Sequence, residues 1–517
     1  MTRAYDAIVI GAGHNGLTAA AWLAQNGRKV LVVEAREIVG GLALSGEFCP
    51  GYRGVGPLHD TAAVRPWIVD GLQLARHGLK LRSRPADRLA VSGGESLWLR
   101  GQVEAAAGEI ARRSGADAER YRSFHEFIRR VRPVLSDWLN EPPINVLEIE
   151  SESITGLIRR GLRLRRLGRR EMMELLRLPP MCVADWLDEW FESDLLKAAL
   201  ALPAVAGTFA GPRSPGTNAN LLFGRAAAGN GVAGNGPALI EALEKAARSA
   251  GAEIRTGTIV SEILLEAGGA RGVTLAGGES VRAKAVVASC DPRRTFLQLL
   301  PLGSIDARVE DHIRGYRCRG STAQLLLALT SPLRFRAHEG ETVEFASTGC
   351  DLDELERAFD AVKYRTSSAR PVLEIHQPTV ANPDLAPAGH AVASVLIHFA
   401  PFDPVDGWTD TGYEALFESA MSILETHCSG IRETLAGMKL LSPVDIEERY
   451  GATGGQIHHG EHALDQILVR PIPGCARYET PIPRLYLCGS GAHPGGGLTG
   501  APGALAARAI LGSKRWT

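Results

Sequence analysis

The chain opens with a continuous apolar run, Ala7-Ile8-Val9-Ile10, and a second follows at Val30-Leu31-Val32-Val33. Runs that are apolar at every position fit parallel strands buried on both faces, not the alternating strands of a half-solvated sheet. Between them, residues 17–25 carry helical periodicity and are stopped by Gly27. The same order returns at the far end. Arg484-Leu485-Tyr486-Leu487-Cys488 reads as a strand, residues 489–503 as a glycine-rich loop and residues 504–511 as a helix. In the middle, a helical stretch at 237–250 leads into strands at 252–255, 258–265 and 283–288. Residues 70–220 read as helical, and 296–440 as mixed, with strands at 323–329 and 391–399. Gln466-Ile467-Leu468-Val469 is strand-like. The longest apolar stretch, 198–210, is short and broken by Pro203, so no membrane span is expected.

Between the first two runs lies Gly11-Ala12-Gly13-His14-Asn15-Gly16, and the second run ends in Glu34, 18 residues after Gly16. A GxGxxG turn that leaves a buried strand, opens a helix and is answered by an acid after the next strand is a dinucleotide-binding unit. Gly11 permits the tight turn, Gly13 lets backbone approach a pyrophosphate, and Gly16 lets the helix pack on the strand. The pyrophosphate then rests on the helix N-terminus, where free amides and the helix dipole favour negative charge. Glu34 would accept a ribose 2′-hydroxyl and repel a 2′-phosphate, which disfavours NADP. A second match, Gly229-Asn230-Gly231-Val232-Ala233-Gly234, would by itself be an NAD(P)H site. The preceding Phe223-Gly224-Arg225-Ala226, however, does not read as a buried strand.

Composition narrows the class. With 517 residues, 45% hydrophobic and 22% charged, the chain is long enough for two to four domains and reads as a soluble globular protein. Lys+Arg 57 against Asp+Glu 58 leaves a net charge of -1, so no global field recruits nucleic acid or an anionic membrane. The local exception is residues 159–177, with arginines at 159, 160, 163, 165, 166, 169, 170 and 177 and only Glu171 and Glu174 against them. Two readings stand: a solvated helix whose arginine stems cover apolar surface, or a lid or membrane-surface helix over 157–178 that delivers a lipophilic substrate. Nucleic acid is not expected, because no base-stacking aromatics lie beside the arginines. The 8 cysteines form no CxxC and no zinc spacing, which reads as reduced thiols and rules out a thiol-disulfide oxidoreductase. His458-His459-Gly460-Glu461-His462 has metal-ligand residue types without the spacing of a closed zinc site, so no metal is expected. A strand entered by Ala7 leaves no room for a targeting segment, and the expected location is cytoplasmic.

Several stretches carry a resemblance: IVIGAGHNGLTAAAWLA and VVEAREIVGG, AGAEIRTGTIVSEI and AVVASCDPRRT, HHGEHALDQ and PIPGCARYETPIPRLYLCGSGAHPGGGLTGAPG. Together, over residues 4–512, the chain resembles the phytoene-dehydrogenase-like FAD flavoproteins, and among them the pyridine nucleotide-disulfide oxidoreductase domain-containing protein 2 group. The resemblance implies an α/β fold. A glutathione-reductase-like, discontinuous FAD-binding domain of Rossmann type (1–70, 221–295 and 441–517) would be interleaved with an α+β substrate domain (71–220 and 296–440). It makes Gly229–Gly234 and the helix behind it part of that FAD domain. It further implies that Gly11, Gly13, Asn15 and Gly16 form the pyrophosphate turn, and that the E-x-R-x-x-x-G-G continuation, Glu34, Ala35, Arg36, Gly40 and Gly41, marks FAD. Val260 would set its backbone beside the adenine. Gly489, Ser490, Gly497 and Leu498 would lie along the ribityl chain and flavin ring, with Ser490 standing where many members have an aspartate. The candidate catalytic residues are His493, expected nearest the ring, and His59, which with Asp60 leads toward the substrate cavity. The implied reaction moves a hydride from a substrate C–H to flavin N5, in desaturation or dehydrogenation of a hydrophobic, isoprenoid-like molecule. FAD would be non-covalent, with Cys488 packed beside it and not linked to it. Oxygen, a quinone or a carrier protein would accept the electrons. Two alternatives stay open: a flavin amine oxidase, and a non-enzymatic lipid-binding or interaction protein like the related Rab GDP-dissociation inhibitors. The intact Gly11, Gly13, Gly16 and Glu34 speak against the second.

Overall fold

The computed structural model describes residues 5–144, 151–467 and 469–513. Along the chain, β1 (Tyr5–Ile10), the helix His14–Gln25 and β2 (Val30–Val33) come first, then the hairpins β3 (Leu44–Cys49) with β4 (Tyr52–Val55) and β5 (Arg88–Ser92) with β6 (Glu95–Leu99). Helices then run from Val103 to Ala227, followed by the helix Asn235–Ser249 and by β7 (Glu253–Arg255), β8 (Val260–Glu266), β9 (Gly269–Leu275) and β10 (Ser280–Ala288). The second half holds β11 (Thr322–Leu329), β12 (Arg334–Phe335), β13 (Phe345–Thr348), β14 (Val372–His376), β15 (Ala391–His398), β16 (Cys428–Ser429), β17 (Leu435–Leu441) and β18 (Leu485–Leu487).

The expected parallel sheet forms in the order β7-β2-β1-β10-β18. Its register aligns the strand ends: Ile10 lies opposite both Val33 and Ala288, and Ala288 opposite Leu487. The residues that follow, Gly11, Glu34, Ser289 and Cys488, therefore emerge in one row at the carboxyl edge, where open parallel sheets bind ligands. The first half of β10 pairs antiparallel with β9, which continues to β8. Helices His14–Gln25, Asn235–Ser249 and Ala501–Gly512 bury their apolar residues in the core of this sheet. The last helix begins three residues before the expected 504. Gly500 caps it at φ 70°, and Pro502 sits in its first turn, where the missing amide has no helical acceptor to lose. A Cβ on Gly503 would overlap the carbonyl of Asn15, so the last helix lies directly on the first.

A second sheet runs β17-β11-β15-β14-β13-β5-β6. The hairpin β5–β6 falls in a region that reads as helical; its signal is Gly93-Gly94, both at positive φ, between two short apolar runs. Side-chain alternation divides this sheet's faces. Leu373, Ile375, Val395 and Ile397 pack with Leu416, Ala420, Met421 and Leu424 of the helix Asp410–His427. Glu374, Leu396 and His398 face the other way, into a cavity. The helices between Val103 and Ala227 close that side around Phe124, Trp186 and Phe191. The core of the parallel sheet draws on Leu72, Leu74 and Leu79 and on Phe296 through Ile313, whereas Leu221 through Ala226 pack with the helices. The chain thus crosses between the two bodies near residues 80, 228, 316 and 441. Residues 464–467 form a helical turn and not the expected strand, as Gln466 turns back to Arg317; Leu468 lies outside the described residues.

Gly503→Ala is expected to lower unfolding stability by about 2–3 kcal/mol, because the new methyl meets backbone that cannot yield. Gly108→Ala, in the helix Val103–Ala111 with open space around it, is expected to raise it by about 0.5–1 kcal/mol. Urea denaturation of the two variants beside the unmodified chain reads both shifts.

Candidate active site

The turn after β1 is built as its glycines require. Gly11 takes φ 96° and donates its amide to Val33 (2.8 Å), and a Cβ on Gly16 would overlap the Gly11 carbonyl. A Cβ on Gly13 would meet nothing closer than 3.9 Å, so this position opens onto space in front of the helix His14–Gln25. The first-turn amides of that helix are those a helix leaves without internal acceptors. Glu34 is buried, and its carboxylate accepts from the amides of Ala12 (2.7 Å) and Arg36 (3.0 Å). Those two bonds leave lone pairs for further donors. Thr258 donates its amide to the Glu34 carbonyl, which brings Val260, the first residue of β8, to the same corner.

Arg36 turns onto the loop that follows it. It donates to the carbonyls of Gly41 and Leu44 (both 2.9 Å) and lies over the Tyr450 ring, so it holds the Gly40-Gly41 loop in place. Gly40 donates to Ala12 and Gly41 packs against Gly13, whereas Ala35 is exposed.

The two glycine-rich ends meet through Asn15, whose Nδ2 donates to Ser490 Oγ (3.1 Å). Ser490 is thereby engaged with the first turn. The Oδ1 of Asn15 and the Nε2 of His14 are buried without protein partners, and burial lowers the His14 pKa to about 4. Open space before Gly13, unpartnered polar atoms beside it and a carboxylate with spare lone pairs fit a dinucleotide cofactor lying across these loops. Gly489 packs on the Ser289 carbonyl, Leu498 is fully buried, and Gly497 continues into the cavity wall.

His493 is not in the cavity. Its Nε2 donates to the carbonyls of Trp138 (2.7 Å) and Glu141 (3.1 Å) at the end of the helix Gly115–Asn140. Burial lowers its pKa to about 4, so it is a neutral clamp on unsatisfied helix carbonyls. His59 does face the cavity. Its Nε2 lies 3.2 Å from Glu374 Oε1, and its Nδ1 has no partner. Asp60 is paired with Arg88 (2.6 Å).

Sequence reasoning missed the partners of His59. Glu374 and His398 sit on adjacent strands and are 3.4 Å apart, Nε2 to Oε2. Burial alone would raise the Glu374 pKa, but the two imidazoles hold it well below the usual carboxylate range. His376 stacks on Phe345 (4.5 Å), and burial keeps it neutral. Three residues in a strand pattern, Glu374, His376 and His398, were the only signal, and their pairing depends on sheet order.

The second GxGxxG segment lacks the strand that a dinucleotide turn leaves. A helix, Thr217–Ala227, precedes it, and its amides are spent within the protein: Gly229 on Ala62, Val232 on Thr61 Oγ1 and Ala233 on Lys80. It ends at Asn235, which donates to Glu344 (2.7 Å) and accepts from Arg82, fastening the two bodies together.

Among the described residues, no group of three or more His, Cys, Asp or Glu side chains is placed to hold a metal ion. His458 and His462 stack at 4.4 Å, and the Gly496 amide donates to His462 Nε2 (3.1 Å), so this loop supports the glycine-rich one. Burial lowers His458 to about 3. All eight cysteines are free, and burial raises the fully enclosed Cys488 thiol, which stays protonated.

The cavity itself measures about 900 Å³ and lies between the second sheet, the helices and residues 494–499 of the glycine-rich loop. Among the described residues, no helix is long and apolar enough to cross a membrane.

Comparison with known proteins agrees with this geometry. The NAD(P)-binding Rossmann-like domain matches residues 9–63, and the flavin containing amine oxidoreductase family matches residues 102–511. The chain is 32% identical over 544 residues to pyridine nucleotide-disulfide oxidoreductase domain-containing protein 2 of Rattus norvegicus, covering 98% of this chain and 93% of that one. It is 28% identical to one of the limonene dehydrogenase chains of Castellaniella defragrans, covering 98% and 94%. A putrescine oxidase variant shares the fold with a TM-score of 0.60 at 15% identity, covering 98% of both chains. The cofactor is FAD, and the fold is the two-domain one that the resemblance implied.

Gly13→Val is expected to leave the protein folded, since its Cβ comes no closer than 3.9 Å to protein, and to remove FAD by filling the space for the pyrophosphate. The ratio of visible to ultraviolet absorbance of the purified variant, with its far-ultraviolet dichroism, checks both halves. In the unmodified protein, acid precipitation is expected to release the flavin into the supernatant, since Cys488 is a fully buried thiol packed in the core.

Proposed function

The chain belongs to the flavin containing amine oxidoreductase family, and we propose that this oxidoreductase takes a hydride from a C–H bond of a hydrophobic, isoprenoid-like substrate, desaturating or dehydrogenating it. FAD, when bound, supplies the hydride acceptor at N5. The carrying observation is the charge pattern of the cavity. Every carboxylate that lines it is already paired: Asp60 with Arg88, Glu104 with Arg122, Glu126 with Arg129 and Glu374 with His59 and His398. An amine substrate arrives as a cation, and no carboxylate lining the cavity is left without a partner to meet it. Apolar side chains such as Leu202, Leu221, Phe223 and Leu396 line the same space and suit a hydrocarbon. The name of the Castellaniella relative, a limonene dehydrogenase, supports the same class.

Within this reading His59 is the proton acceptor. With Nε2–H donated to Glu374, Nδ1 keeps a lone pair that can take the proton lost beside the carbon that gives up hydride. Glu374 and His398 are positioning residues that fix this tautomer. Oxygen, a quinone or a carrier protein would reoxidise the flavin in this reading, because a helix and not a strand precedes the second glycine-rich loop.

Monoterpene hydrocarbons are expected to bleach the visible flavin band anaerobically, and primary amines to leave it unchanged; the reverse pattern would overturn the assignment in favour of the amine oxidase. His59→Asn is expected to slow bleaching by about 100-fold or more with flavin content unchanged.

The helices Ser151–Arg166 and Arg169–Arg177 add a peripheral contact to the proposal. Leu157, Ile158, Leu162, Met173 and Leu176 are exposed on them, and Arg165, Arg166, Arg169 and Arg170 have no acidic partner among the described residues. Exposed apolar side chains flanked by unpaired cations suit an anionic bilayer. Co-sedimentation with phosphatidylserine vesicles, absent with phosphatidylcholine and lost on joint Leu157→Glu and Ile158→Glu substitution, is the expected result.

A further inference from the structure

Arginine dominates the charged lining of the cavity, and three of these arginines, Arg65, Arg132 and Arg225, have no carboxylate partner among the described residues. Arg65 and Arg132 are satisfied in part by the backbone, donating to the carbonyls of Ala226, Ala227 and Ala228. Arg225 has neither an ion pair nor a hydrogen bond among the described residues, although it lies in the last turn of the helix Thr217–Ala227, inside the cavity wall. Burial and the neighbouring Arg88 cation hold its guanidinium below the usual arginine range, with only the Tyr121 hydroxyl acting the other way. A half-buried guanidinium at a cavity wall, with no counter-charge or hydrogen bond among the described residues, has its donors free for an anionic ligand.

The groups beside Arg225 carry no negative charge. Tyr121 and His125 stand one turn apart on the helix Gly115–Asn140, with ring centroids 4.5 Å apart, and both line the cavity beside it. The Nε2 of His125 is buried and has no partner. Burial, with the adjacent Arg225, lowers the His125 pKa to about 3, so its imidazole is neutral and offers one N–H. A single guanidinium beside a phenol and a neutral imidazole matches a planar carboxylate, which the guanidinium meets with two parallel N–H bonds.

We propose that the cavity binds an amphipathic carboxylic acid, its carboxylate held by Arg225 with Tyr121 and His125 and its hydrocarbon portion lying along Leu202, Leu221 and Phe223. This specifies the substrate class of the oxidoreductase reading and rests on it for the identity of the cavity. The site acts by binding and orientation alone; no proton or electron moves through it. The hydrophobic substrate thereby gains a defined end, and an end fixed on one wall places one stretch of chain against the glycine-rich loop.

The test is binding to the FAD-loaded protein, read by titration calorimetry without turnover. The probes are geranic acid, geraniol and geranyl monophosphate, which share one hydrocarbon skeleton. Geranate is expected to bind about 10- to 100-fold more tightly than geraniol, the range for a charge-assisted hydrogen-bonded contact. Arg225→Leu is expected to erase that preference while leaving geraniol binding and flavin content unchanged, and Arg225→Lys to restore part of it. Without ligand, Arg225→Leu is expected to keep the unmodified protein's melting temperature, since Arg225 has no ion pair or hydrogen bond to lose among the described residues. Equal binding of geranate and geraniol, a preference that survives Arg225→Leu, tighter binding of the phosphate than of geranate, or a lower melting temperature of Arg225→Leu would each overturn the proposal. Flavin bleaching by neutral hydrocarbons is read separately. Bleaching without a geranate preference leaves the oxidoreductase reading standing and removes this one; a geranate preference without bleaching by any probe does the opposite.

Discussion

The structure depends on a row of four strand ends. Because β1, β2, β10 and β18 are in register at Ile10, Val33, Ala288 and Leu487, the loops that leave them start from one edge of one sheet. Residues from the two ends of the chain then have to pack together without side chains between them. Gly16 lies on Gly11, Gly503 on Asn15 and Gly489 on Ser289, each so close that a methyl group would overlap a carbonyl oxygen. Asn15 completes the closure by reaching Ser490. The cofactor site is therefore a product of backbone contact, and the glycines that look permissive in the sequence act here by making that contact possible.

A second theme is the low charge state of the buried histidines. His14, His458 and His493 are held near pKa values of 4, 3 and 4, and His376 and His462 are also depressed, in every case first by burial. Neutral imidazoles can support loops from beneath without placing cations near the flavin end of the site. His462 receives the Gly496 amide, and His493 clamps the end of the helix Gly115–Asn140. Positive charge is left instead to the arginines. Asp60, Glu104 and Glu126 of the cavity are consumed in arginine ion pairs, whereas Arg65, Arg132 and Arg225 meet no acid among the described residues.

Much of the cofactor end was legible because its physics is local. A strand buried on both faces is apolar at every position, a tight turn needs glycine, and a ribose-binding acid must follow the next strand; Val9, Gly13 and Glu34 carry these signs within 34 residues. The roles of individual side chains were less legible. Arg36 lies in the FAD-marking stretch, yet it braces the Gly41 loop. His493, placed near the ring by its loop, turns to helix carbonyls 352 and 355 residues away. The second GxGxxG matches in letters, but a helix precedes it and protein groups take its amides.

The sequence by itself determined that two chain ends would form one dinucleotide site, that the cysteines would be unpaired, and which sheet would hold the cofactor. These follow from composition and from patterns that span a few residues. Only the tertiary structure decided which side chains share the cavity. Glu374 reaches His59 across 315 residues, and Arg225 comes to lie beside Tyr121 with no acid to answer it. Such meetings depend on strand order and on which face of each element points inward. A pairing between distant residues leaves no periodicity for a reader of the sequence, because each partner satisfies only its own local pattern.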